Sequence, residues 1–75
     1  MTTIKIKGSR ASLVQMNLSI NGLVRGAAFR NERTLLYETE KDAKEALQKT
    51  AECLKDCTFE DGILIHKGNT IAQII

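Results

Sequence analysis

Apolar residues recur along this chain with two periods, and the switch between them marks out its elements. Residues 3–7 (Thr-Ile-Lys-Ile-Lys) alternate, which predicts a half-buried strand with Lys5 and Lys7 on its solvent face. Gly8, Ser9, Arg10 and Ala11 then read as a turn. Val14, Met16, Leu18 and Ile20 are apolar at every second position, so residues 14–20 are predicted to be a strand too. Asn21-Gly22 follows, the dipeptide favoured in type I′ hairpin turns because both of its residues accept positive φ. A two-residue loop there fixes the register with residues 23–30: Ile20 faces Leu23, Leu18 faces Arg25, Met16 faces Ala27 and Val14 faces Phe29. That face is expected to be buried, with Gln15, Asn17 and Arg30 on the other.

Residues 31–33 are a polar break, and residues 34–37 form a short β-prone run. The period then changes to 3.6. Thr39 and Asp42 make a capping pattern, and no Gly or Pro interrupts residues 40–55. Ala43, Leu47, Thr50, Leu54 and Cys57 recur every three or four residues and predict one buried stripe on a helix ending near residue 56. Glu60, Asp61 and Gly62 read as a turn. Residues 63–66 and 70–75 flank Lys67, Gly68 and Asn69 as a second hairpin. The expected fold is thus a single α+β domain over residues 1–75. A small antiparallel β-sheet (a meander plus a C-terminal hairpin) packs on one amphipathic helix, in the order β-β-β-(β)-α-β-β.

Composition adds little until charge is followed along the chain. The 75 residues are 43% apolar and 27% charged, ordinary for a globular domain, with a net charge of +2. Residues 1–33 carry six Lys and Arg against Glu32 alone, whereas residues 34–62 carry four Lys against eight Asp and Glu. The chain is charge-polarised, with a basic first half and an acidic middle. Two cysteines are too few for a secreted disulfide framework, and the opening residues lack the apolar core of a signal peptide. A cytoplasmic protein with no membrane segment is expected.

Candidate chemistry is sparse. His66 is the only histidine, and no paired carboxylates or nucleophile motif accompany it. Cys53 and Cys57, four apart on the expected helix, would need two more ligands for a metal. Gly22 and Gly26 bracket no phosphate-loop lysine. No cofactor and no catalytic residue is therefore expected, and a non-enzymatic role follows. The partner-binding surface is expected on the polar, basic sheet face: Lys5, Lys7, Gln15, Asn17 and Arg30, with Arg10 and Arg33 in the adjoining turns. Its occupant would be a protein with an acidic surface, or alternatively a nucleic acid. The Ile-rich C-terminal hairpin has apolar residues for both faces, so either both are covered within one chain or, the simpler expectation, Leu64, Ile71 and Ile75 bury against a second copy as a homodimer. In plan alone, the small meander, single helix and closing hairpin resemble compact phage-encoded inhibitor proteins, some anti-CRISPR proteins among them. They also resemble the arm-binding domain of phage integrases. No residue pattern specific to either is present, so nothing is carried over from the likeness. The expected function is a small protein-binding module or inhibitor, of phage or mobile-element type, acting through the basic sheet face, with nucleic-acid binding by the same face as the alternative.

Overall fold

Alternation in the first strand sets the two sides of the molecule. A computed structural model describes all residues 1–75. In β1 (Thr2–Lys7), Ile4 and Ile6 are completely buried while Lys5 and Lys7 turn to the opposite side. The remaining elements are α1 (Ala11–Asn17), β2 (Leu23–Phe29), β3 (Glu32–Tyr37), α2 (Glu40–Cys53), β4 (Cys57–Glu60), β5 (Ile63–His66) and β6 (Asn69–Ile74). All six strands join one antiparallel sheet in the order β2-β3-β1-β6-β5-β4. Both helices lie on the face that carries Ile4 and Ile6. Ala11, Val14 and Leu18, with Ala43, Ala46 and Leu47 of α2, form one core with Leu35, Tyr37, Leu64 and Ala72 of the sheet. The other face is open. No helix is long and apolar enough to cross a membrane.

The α+β class, the strand at residues 3–7, the capped helix and the C-terminal hairpin are as expected. Thr39 Oγ1 accepts the Asp42 amide at 3.1 Å, and Glu40 and Asp42 place negative charge in the positive first turn of α2. Two tight turns close the C-terminal strands. Asp61 and Gly62 join β4 to β5, and Lys67 and Gly68 join β5 to β6, all with positive φ, the type I′ signature.

The expected Asn21-Gly22 hairpin does not form. Residues 11–17 are helix, because Ala11, Val14 and Leu18 also fit the i, i+3, i+7 spacing of a helix face. Val14 and Leu18 serve either period. What decides is burial: α1 packs on β1 and β3 beside α2, and the two helices together cover Ile4, Ile6 and Leu35. Met16, expected in the core, is consequently 82% exposed, and Phe29 is 72% exposed on the open face. Gln15 and Asn17 are helix residues, not sheet residues. The hairpin that does form joins β2 to β3 through Arg30 and Asn31, with Phe29 paired to Glu32. Gly22 has φ +76 and its backbone lies so close to Asp42 that a Cβ would fall 2.3 Å from that carboxylate.

Two smaller corrections concern the second half. The helix stops at Cys53, Leu54 caps it, and Cys57 opens β4, so the two thiols do not share a helix. Leu64 faces the core and is fully buried, joined there by Ile74, while Ile63 and Ile65 point to the open side.

Side-chain truncations separate the two readings of residues 11–20. Leu18→Ala should cost about 2–5 kcal/mol in urea unfolding. Met16→Ala and Phe29→Ala should each stay within about 0.5 kcal/mol. A large loss at Met16 would restore the hairpin, in which Leu18 is buried as well.

Candidate binding surface

Antiparallel topology gathers charge that is scattered in sequence. The connections after β1, β2, α2 and β5 all lie at one end of the sheet, and those after α1, β3 and β4 lie at the other. The first end holds Lys7, Arg10, Arg30, Arg33, Lys55 and Lys67, with Glu32 and Asp56 as its acids. The second holds Glu38, Glu40, Asp42, Glu60 and Asp61, with Lys41 its one lysine. The basic and acidic stretches of the sequence thus become a basic and an acidic pole.

The expected partner residues divide between the two sides of the sheet. Lys5 and Lys7 stand on the open face, as alternation required. Lys5 is paired there: its Nζ lies 2.8 Å from Glu32 Oε1. The hydrogen bond from Lys5, reinforced by the charges of Lys5 and Lys7, holds the Glu32 carboxyl below its ordinary range despite some opposing desolvation. Arg30 sits in the hairpin turn with φ +56, its guanidinium 5.3 Å from the centre of the Phe29 ring. Arg33 lies on the helix side. It donates to the Arg30 carbonyl at 2.7 Å, the Glu32 carbonyl at 3.2 Å and Ser12 Oγ at 2.7 Å, so it clamps the turn to α1. Arg10, at the start of α1, donates to the His66 ring. Gln15 reaches toward Gly26, and Asn17 bonds back to the Leu13 carbonyl. Lys7, Arg10 and Arg30 are therefore brought together at the basic end, whereas Gln15 and Asn17 belong to α1 and lie away from the open face.

Sequence reasoning missed Lys67 and the placement of His66. Lys67 reads as a turn residue, and only pairing of β5 with β6 and β4 carries it to the same end as Lys7 and Arg30. Shallow recesses flank Lys7, one toward Arg30 and Asn31, the other toward Arg10 and His66. The self-association residues also part company: Leu64 is core, Ile71 is half-buried near the bulge in β6, and Ile75 is 67% exposed. No cluster of three or more His, Cys, Asp and Glu side chains is arranged to hold a metal ion. Cys53 is exposed, while burial pushes the half-buried Cys57 thiol up, partly offset by Arg10.

No family model, curated protein or solved structure matches this chain.

The Lys5–Glu32 pair has a pH signature. A carboxyl whose folded pKa is lowered adds stability above its unfolded pKa, and that contribution disappears as pH falls through the folded value. Glu32 should titrate below an ordinary Glu by NMR, and Lys5→Met should return its midpoint upward. An unchanged midpoint in Lys5→Met would mean the pair is not formed in solution.

Proposed function

We propose that this domain is a small non-enzymatic protein-binding module or inhibitor that docks an acidic partner on its basic end. The observation that carries this reading is the segregation of charge by the antiparallel topology: Lys7, Arg10, Arg30 and Lys67 around one end, five carboxylates at the other. A field of that shape orients an acidic protein before contact and raises its association rate. The recesses beside Lys7 offer concave seats for carboxylates, and the neighbouring Phe29 gives the surface an apolar centre. The modest net charge and the acidic opposite pole favour a protein over a polyphosphate, which would be repelled at that pole. The cytoplasm is the compartment this reading assumes.

The test is charge reversal at exposed sites. Lys7→Glu combined with Arg30→Glu should abolish capture of the partner from host lysate, with the capture of wild type unaffected by nuclease. Thermal unfolding should stay within about 0.5 kcal/mol per site of wild type, since neither side chain is packed in the core. Undiminished binding by the double variant would retire the basic end. Nuclease-sensitive capture with a steep salt dependence would instead assign the same end to nucleic acid.

A further inference from the structure

The sheet has two edges, and they are built differently. β4 is four residues long and ends at Glu60, with Asp61 beside it, the short charged form that discourages added strands. β2 runs for seven residues, Leu-Val-Arg-Gly-Ala-Ala-Phe, without Pro or an acidic residue, and is exposed from Val24 onward. Pairing with β3 matches Arg25, Ala27 and Phe29 to Leu36, Thr34 and Glu32. The bond from the Glu38 amide to the Gly22 carbonyl and that from the Gly8 amide to the Asn31 carbonyl fix which residues of β3 point toward β2. By the alternation of an antiparallel ladder, Arg25, Ala27 and Phe29 direct their backbone groups into β3, and Gly26 and Ala28 direct theirs outward. Those outward groups meet no strand of this chain.

We infer that a second copy of this chain pairs along β2, antiparallel, about a two-fold axis at Ala27. That register is self-complementary. Gly26 of each copy opposes Ala28 of the other, so the outward amides and carbonyls bond reciprocally. Ala27 opposes its own counterpart at the close, non-hydrogen-bonded position, where small side chains fit. Arg25 opposes Phe29 on the same open face, setting a guanidinium against an aromatic ring twice over. The Phe29 ring already holds Arg30 in this way within one chain. The antiparallel arrangement also brings the basic end of each copy toward the acidic end of the other, so charge favours this occupant. The interface is independent of the acidic-partner reading and replaces the C-terminal hairpin as the dimer surface, since Leu64 is core.

Light scattering with size exclusion and amide hydrogen exchange test it together. Wild type should have the mass of two chains, falling toward one on dilution, with the Gly26 and Ala28 amides protected in the dimer and released as it dissociates. Ala28→Pro removes only an outward donor from an edge strand, so it should halve the mass and melt cooperatively at the temperature of wild type diluted to single chains. Arg25→Ala and Phe29→Ala should each weaken the dimer. A one-chain mass at every concentration, a two-chain mass that persists in Ala28→Pro, or a mass that grows beyond two chains would overturn the inference. Should Ala28→Pro fail to fold, exchange in wild type decides: slowed amides at Gly26 and Ala28 uphold the pairing, and solvent-rate exchange there refutes it.

Discussion

The N-terminal strand is the piece on which the rest of this domain depends. β1 is hydrogen-bonded to β3 on one side and to β6 on the other, so Ile4 pairs with both Leu35 and Ile74. Without it the sheet falls into a two-stranded β2–β3 hairpin and a three-stranded β4–β5–β6 meander, neither with much core of its own. The first residues of the chain must therefore find the last, and the closure entropy of that long loop has to be met before the central pairing gives anything back. Burial of Ile4 and Ile6 under both helices is what offsets it.

Two buried hydroxyls then position the helices over this centre. Tyr37 is completely buried, and its hydroxyl donates to the Ser19 carbonyl at 2.6 Å, at the exit of α1. Burial and the charge of Asp42 push the phenol pKa upward, which keeps the proton available for that bond. Thr50, also fully buried, donates back to the Ala46 carbonyl at 2.8 Å, and its oxygen lies 3.3 Å from the Asn17 carbonyl at the end of α1. No buried side-chain polar atom is left without a partner. The close approach of Gly22 to Asp42 belongs to the same junction, where the segment leaving α1 passes beneath the first turn of α2.

With the core and junctions so fixed, the surfaces that remain differ in character. One end of the sheet is basic and the other acidic, the open face carries Lys5 neutralised by Glu32, and one edge presents a small-residue strand with free backbone groups. The charged end suits a partner of opposite sign. The β2 edge suits another strand.

By itself the sequence determined the α+β class, the face of β1, the capped α2 with Ala43, Leu47 and Thr50 inward, and the β5–β6 hairpin. Each of these rests on local periodicity or on cap and turn chemistry that acts within a few residues. It also revealed the separation of charge along the chain, though not its direction in space. Tertiary structure decided the rest. Residues 14–18 fit a strand period and a helix period, and the packing of α1 on β1 and β3 beside α2 selects the helix. That choice moves Met16 and Phe29 out of the core, carries Gln15 and Asn17 off the sheet, and leaves β2 as a free edge. The gathering of Lys7, Arg10, Arg30 and Lys67 at one end was illegible beforehand, because it depends on which strands are neighbours. Strand order is set by non-local burial around β1, and no local pattern in the chain encodes it.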